Sequence, residues 1–287
     1  MRTIITSIIV TLLTSMMVIK LYTPQNTALT AEKETAFERI QRTRIIKCGY
    51  IFTSLLQRNE NTKELSGPAF DITNAIADNL KLKIEWTAES SFANVSEDLK
   101  NNRFDMLCVP FAPNSARGQV MDMSRKIFFM PFYLWTKTGT THDMHDLSWV
   151  NQSDTVLADV DGTTIRQFYN NSFPKAKISS LPELTPVSDI LMHVATGKAD
   201  AALFPLIDAR VFIKNNPNTI QQASTKPVAV VSHTYFMPKG DFKLKGMVDT
   251  ALNEIIENGA LERILKTYNT DSVPILIPLA PEYQTTQ

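Results

Sequence analysis

The sequence predicts an α/β protein of two lobes, each a mainly parallel sheet flanked by helices. Three observations carry this. Short apolar runs alternate with segments whose apolar residues recur at helical spacing, the order that gives a parallel sheet with right-handed crossovers. Asp105-Met-Leu-Cys-Val-Pro110-Phe111 can be laid over Asp200-Ala-Ala-Leu-Phe-Pro205-Leu206, Asp on Asp and Pro on Pro. The match reflects either turn chemistry common to α/β strands or two lobes built alike. Finally, 287 residues exceed one small module and suit two such lobes.

The elements follow in order. After Arg2 the chain is uncharged from Thr3 to Ile19 and rich in Ile, Leu, Val and Met, until Lys20. A basic start and an apolar run have the form of an export signal, longer than the usual ~7–15 residues and just short of the ~20 that span a bilayer. No small-x-small cleavage site stands behind it. Residues 1–22 are therefore read as an export signal, either removed or kept as an inner-membrane anchor. Residues 23–43 are polar and charged and read as a spacer, with a short helical pattern at Ala36, Phe37 and Ile40.

The globular body is expected from about Ile45. Ile45–Tyr50 reads as a strand ending at Gly49, and Phe70–Leu80 as a helix through Ile72, Ala75, Ile76 and Leu80. Lys83–Trp86 is the next strand, Val95–Asn102 a helix, and Asp105–Phe111 a buried strand stopped by Pro110. Near the end, Leu244, Met247, Val248, Ala251, Leu252 and Ile255 mark a long amphipathic helix closed by Gly259. Leu261, Ile264, Leu265 and Tyr268 begin another. From Ser272, Pro274, Pro278 and Pro281 among aliphatics imply an extended tail along the surface.

Composition removes several functions. The 29 basic residues balance 29 acidic ones, which argues against nucleic-acid binding. No two of the nine glycines are separated by a single residue, so the dinucleotide fingerprint is missing, and Met192 stands where a phosphate loop ending at Gly197-Lys198 needs glycine. G-x-S-x-G, H-E-x-x-H and C-x-x-C are likewise missing. Asp159-Val-Asp161-Gly162-Thr163 imitates the first motif of haloacid-dehalogenase-type phosphatases, but Gly240-Asp241 is the sole candidate for the later Mg²⁺-holding acids and has no second acid close by. His142 and His145 fall in a polar segment that reads as a solvated loop, not a metal site. Cys48 and Cys108 both end buried strands; neighbouring parallel strands rarely suit a disulfide, so two buried thiols are expected.

Seven stretches then stand in a telling order: Arg44-Ile-Ile-Lys-Cys-Gly-Tyr50, Gly67-Pro-Ala-Phe-Asp71-Ile-Thr-Asn-Ala-Ile-Ala77, Asn102-Arg-Phe-Asp105, Arg117-Gly-Gln-Val-Met-Asp122-Met-Ser124, Asp161-Gly-Thr-Thr164, Gly197-Lys-Ala-Asp200-Ala and Pro238-Lys-Gly-Asp241. From about Arg44 to Tyr268 the chain resembles the family 3 extracellular solute-binding proteins, the two-lobed receptors typical of amino-acid ABC importers. The resemblance implies the type II periplasmic-binding-protein fold, with lobe 1 from 44–130 and 233–280, lobe 2 from 131–232, and a tail at 281–287. Phe132–Thr136 and Thr234–Met237 would be the crossovers, and a ligand would bind at the strand C-termini and be buried by closure.

Arg117 follows a buried strand, where its fork of donors suits a carboxylate, as the matching arginine does in that family; otherwise it is a surface arginine on a loop. Thr163 and Thr164 follow Gly162 at a helix start and either meet an anion or cap the helix. Phe92 matches an aromatic that stacks on ligands in the family, or is a core residue. Tyr50 is the remaining ligand-binding candidate, and Asp71 is read as structural at a helix start. Two departures stand out. Pro205 occupies the place of the acid that pairs with a ligand ammonium, with Asp208 three residues late, and Ala112 replaces the usual hydroxyl five residues before Arg117. An unpaired buried ammonium is costly, so a small anion with an otherwise neutral or apolar surface is expected over a standard α-amino acid.

The expectation is thus a monomeric receptor exported to a Gram-negative periplasm, without catalytic residues, cofactor or metal. It would capture a small carboxylate-bearing solute and be read by an ABC permease or a signalling membrane protein. The alternatives within the same fold are a dehydratase-like enzyme, with Glu89 and Asp208 as candidate acids, and a tethered ligand sensor.

Overall fold

The computed structural model describes residues 34–183, 185–269 and 273–278. The expected export signal, the front of the expected spacer and the tail 281–287 lie outside the described residues. Among the described residues no helix is long and apolar enough to cross a membrane.

The body begins earlier than the sequence led us to expect, at α1 (Ala36–Thr43). Ile40 is fully buried and Ala36 nearly so. The Phe37 N–H donates to Asp241 Oδ2 at 3.0 Å, and Arg39 pairs with Asp105, Nε to Oδ1 at 3.0 Å. The last eight residues of the expected spacer are therefore a core-packed helix. Two apolar residues four apart are enough to bury one face, and the surrounding charge conceals them in the sequence. Burial raises the Asp105 pKa, while Arg39 and the Lys47 N–H, 2.6 Å away, oppose the rise. Arg39→Ala is expected to destabilise the protein by roughly 2–4 kcal/mol at pH 7, because it leaves a buried carboxylate unpaired. A group whose folded pKa is raised loses stability as pH increases through it, so urea denaturation should show a smaller deficit at pH 5.

Next come β1 (Ile45–Tyr50), the hairpin β2 (Gln57–Arg58) and β3 (Leu65–Ser66), α2 (Pro68–Leu80), β4 (Lys83–Glu89) and α3 (Val95–Lys100). β5 (Met106–Phe111), α4 (Ser115–Val120), β6 (Met121–Met123) and the long β7 (Phe128–Lys137) follow. The second half runs through β8 (Val156–Val160), α5 (Thr164–Ser172), β9 (Lys177–Leu181), α6 (Ser188–Ala195), β10 (Ala201–Pro205), α7 (Leu206–Asn215) and β11 (Ile220–Gln222). β12 (Ala229–Pro238), α8 (Phe242–Glu257) and α9 (Ala260–Tyr268) return to the first. The strand order is β4-β1-β5-β12-β7-β10-β8-β9, with β6 on β12 and β11 on β7. β1, β4 and β5 are parallel, as are β8, β9 and β10. β7 and β12 pair antiparallel between these sets, and both expected crossover segments lie within them.

The sequence repeat has one physical meaning in both halves. The Asp105 N–H donates to Lys47 O at 2.8 Å and its carboxylate accepts from the Lys47 N–H; the Asp200 N–H donates to Val156 O at 2.8 Å and its carboxylate accepts from the Val156 N–H at 2.8 Å. Each aspartate clamps the neighbouring parallel strand at its start. The next residues on the clamped strands are Cys48 and Leu157, and three beyond the aspartates stand Cys108 and Leu203, all four buried.

Cys48 and Cys108 form a disulfide, which corrects the expectation of two thiols. Cys48 stands opposite Met106, so Cys108 is two residues further along β5, on the same face of the sheet. The Cα atoms are 5.3 Å apart, inside the range a disulfide needs.

Gly259, with φ 73°, makes the left-handed turn between α8 and α9 that glycine permits most cheaply. Tyr268 at the end of α9 donates to Asp71 Oδ2 at 2.5 Å and ties α9 to the start of α2, a structural use of Asp71. The described part of the tail is packed against the body, as expected. Ile275, Leu276 and Ile277 are buried, Ile277 exchanges N–H···O bonds of 2.6 and 2.8 Å with Phe129, and Asn269 Oδ1 accepts from the Ile275 and Leu276 N–H groups.

Candidate functional site

The C-terminal ends of β5, β8 and β10 converge on a cavity of about 130 Å³. After Phe111 the chain turns through Ala112-Pro113-Asn114 into α4, where Asn114 Oδ1 accepts from the Arg117 N–H at 2.9 Å. This cap fixes the first turn and directs Arg117 to the cavity wall. Its Nη1 donates to Ala112 O at 2.8 Å, and its guanidinium lies 5.4 Å from the centroid of the Phe111 ring. The carbonyl of Ala112 thus orients the arginine from the position where the sequence lacks a hydroxyl. Burial lowers the Arg117 pKa and Glu183 opposes the shift; an arginine keeps its charge through such changes.

Phe92 faces the cavity and also packs on Phe111, ring centroids 3.9 Å apart, so both sequence readings of it describe part of its environment. Thr163 and Thr164 line the opposite wall. Neither hydroxyl caps α5: Thr163 Oγ1 donates to Asp159 Oδ1 at 2.6 Å, and Thr164 Oγ1 donates to Pro113 O at 3.2 Å. Tyr50 is not brought to the cavity. Its ring lies 5.2 Å from Phe52 and edge-on to Trp86, in a separate aromatic group.

Asp159 also borders the cavity, yet its oxygens are occupied by Thr163, by Arg166 Nε at 2.8 Å and by the Val160 N–H at 2.8 Å. Asp241, the other half of the phosphatase-like reading, caps α8 through the Leu244 N–H and accepts from Phe37. Both acids are structural, and that reading has no free nucleophile to stand on. His142 stacks on Trp149 with ring centroids 3.7 Å apart.

Two cavity residues were underrated from sequence. Asp208 stands three residues late in the chain, but α7 begins immediately after Pro205 and its first turn carries the Asp208 carboxyl to the cavity wall. Burial there pushes its pKa up to about 6, with Ser54 opposing the rise. The Ser54 hydroxyl itself is buried and makes no hydrogen bond of normal geometry. The readable signal is an acid in the first turn of a helix that starts at a strand end. His233 on β12 stacks on Phe128 and places Nδ1 3.1 Å from Val231 O. Burial, joined by the charge of Arg117, lowers its pKa to about 4, so it is neutral at physiological pH.

The cavity lining therefore includes a guanidinium, the Asp208 carboxyl, a neutral imidazole and apolar walls from Phe92, Met130 and Phe204. A comparison with protein families matches residues 54–271 to the bacterial extracellular solute-binding proteins, family 3. The chain belongs to this family. Solved structures agree with a family 3 fold. The BvgS periplasmic VFT2 domain of Bordetella pertussis superposes with a TM-score of 0.69 at 17% identity, over 80% of this chain and 96% of that one. An ancestral amino acid-binding protein, a precursor of cyclohexadienyl dehydratase, gives 0.66 at 18% identity over 82% and 99%. An ancestral arginine-binding protein bound to arginine gives 0.63 at 19% identity over 78% and 97%. Among curated proteins, the membrane-bound lytic murein transglycosylase F of Cronobacter sakazakii is 21% identical over 210 residues, 71% of this family 3 chain. The chain spans only 39% of the length of that relative.

Proposed function

We propose that this family 3 protein is an extracytoplasmic solute receptor that captures a small carboxylate-bearing molecule between two closing lobes, residues 44–130 with 233–280 and residues 131–232. The observation that carries the reading is Arg117, half-buried at the cavity wall and spending one guanidinium nitrogen on Ala112. The rest of its planar fork is free to grip a carboxylate. Closure is supported by hydrogen bonds between the facing loops, Asn114 Nδ2 to Gly162 O at 3.0 Å and Thr164 Oγ1 to Pro113 O. The partner in this reading is a membrane permease of an ABC importer or a signalling membrane protein that recognises the closed form, and the receptor acts as a monomer without chemistry.

Asp208 changes the expected ligand. With a carboxyl lining the same cavity as Arg117, the ammonium of an amine-bearing carboxylate has a candidate partner, so α-amino acids return to the candidate set. A ligand ammonium favours the ionised Asp208 and lowers its pKa from about 6. Below that pH the carboxyl must lose a proton for the ligand to bind, so affinity for an amino acid is expected to weaken as pH falls through 6. Calorimetry from pH 5 to 8 should show this slope, and Asp208→Asn should flatten it.

A raised carboxyl pKa in a cavity also suits a general acid, the role a dehydratase-like enzyme would need. Glu89, the other acid named for that role, is exposed at the end of β4 and does not line the cavity. A thermal-shift screen over amino acids, other carboxylates and phosphates tests the proposal, since a ligand of the folded form raises the melting temperature. Carboxylates should stabilise and be recovered unchanged. Stabilisation by phosphates alone would contradict carboxylate capture, and turnover of a stabilising acid would favour the enzyme.

A further inference from the structure

The cavity beside Arg117, Thr163 and Thr164 adjoins the hydrogen-bonded loops and is continuous with a second space. Thr53, Ser54, Phe92, Val187, Phe204 and Asp208 line both this cavity and a second compartment of about 550 Å³. The second is about four times the size of the first and differs in character. Ile51, Phe52, Val211 and Phe212 give it apolar surface; Ser90, Ser91, Asn215 and Asn216 give it hydrogen-bonding groups. Among the described residues its charged lining is Glu183, Asp189 and Asp208, with no Lys, Arg or His. The Ser91 hydroxyl oxygen is buried without a hydrogen-bond partner, so one donor at this wall is unused, while Ser54 serves Asp208.

A free amino acid held by Arg117 would occupy the smaller cavity and leave the larger compartment to water. We propose that the ligand is a short peptide bound with its C-terminus inward: the carboxylate on Arg117, the amides against the serines and asparagines, and the ammonium end in the acidic compartment. The proposal rests on the carboxylate-capture reading above. Each added residue extends the ligand by ~3.3–3.6 Å, which carries a second and third residue past Asp208 into the open compartment. Side chains of mixed type meet the apolar surface, while backbone polar groups find hydroxyls and amides, a division of labour that tolerates varied sequences. A positive end is favoured by Asp189, with Asp208 at the junction of the two spaces and no competing base among the described lining residues.

The test uses the full chain, thermal-shift screening and calorimetry. The probes are the twenty free amino acids and pools of dipeptides and tripeptides with free or amidated C-termini. Free-acid peptide pools are expected to raise the melting temperature more than any amino acid, and the best peptide to bind at least tenfold tighter than its own C-terminal residue. Amidation should remove that binding, and Asp189→Lys should weaken it about tenfold, the equivalent of ~1.4 kcal/mol. A free amino acid that matches the best peptide, or a peptide affinity unmoved by Asp189→Lys, would overturn the peptide proposal and leave carboxylate capture standing. Peptides that bind equally well when amidated would overturn both.

Discussion

Arg117→Ala is expected to lower affinity for a carboxylate ligand by at least a hundredfold. Removing one partner of a buried, hydrogen-bonded ion pair leaves the other charge desolvated and unanswered, at a cost of roughly 3–5 kcal/mol, and ~2.7 kcal/mol is already a hundredfold. The fold should tolerate the change. Arg117 gives the structure one hydrogen bond to Ala112 and a contact over Phe111, while the cap of α4 uses its backbone N–H and survives. Only those contacts of a half-buried side chain are lost, so the melting temperature should stay close to wild type. Arg117→Lys separates charge from geometry: an ammonium keeps the attraction but not the fork, and an intermediate affinity is expected. Calorimetry gives all three values, and unchanged affinity in the alanine variant would remove Arg117 from the site.

The second large effect concerns stability. The Cys48–Cys108 bond joins residues 60 apart in sequence and is fully buried. Closing a loop of that length in the unfolded chain is worth roughly 4 kcal/mol in the chain-entropy account. Cys48→Ala with Cys108→Ala should therefore lower the melting temperature by roughly 8–16 °C. Wild-type protein melted with reductant should approach the double variant, and the variant itself should not respond to reductant. Thiol titration of the unfolded wild type should detect no free cysteine until reductant is added. Two titratable thiols without reductant would contradict the bond. The second half of the sheet places Leu157 and Leu203 at the matching positions, so the two halves are secured differently, one covalently and one by packing.

What the sequence made legible follows local rules. The alternation of strands and helices and the glycine turn after α8 depend on periodicity and turn chemistry, which neighbouring residues determine, whereas the crossover strands came from the family resemblance. The repeated aspartates were visible as a pattern, but their shared purpose needed the hydrogen bonds to Lys47 and Val156. The errors share a cause. Whether Ala36 and Ile40 are buried depends on the surfaces that α1 meets. Whether Cys48 can reach Cys108 depends on a diagonal offset between strands. Whether Asp208 reaches the cavity depends on where α7 starts. All three are long-range facts that spacing along a chain does not encode. Arg117, Phe92, Thr163 and Thr164 converge because strand ends in this fold point to one cleft, whereas Tyr50, also near a strand end, turns instead toward Phe52 and Trp86.

The central claim is met most directly by a crystal structure of the protein with the most stabilising acid from the screen. The ligand carboxylate is expected within ~2.7–2.9 Å of the Arg117 guanidinium nitrogens, with any ammonium directed to Asp208. A ligand whose carboxylate lies elsewhere, with the Arg117 side chain turned out of the cavity, would contradict it.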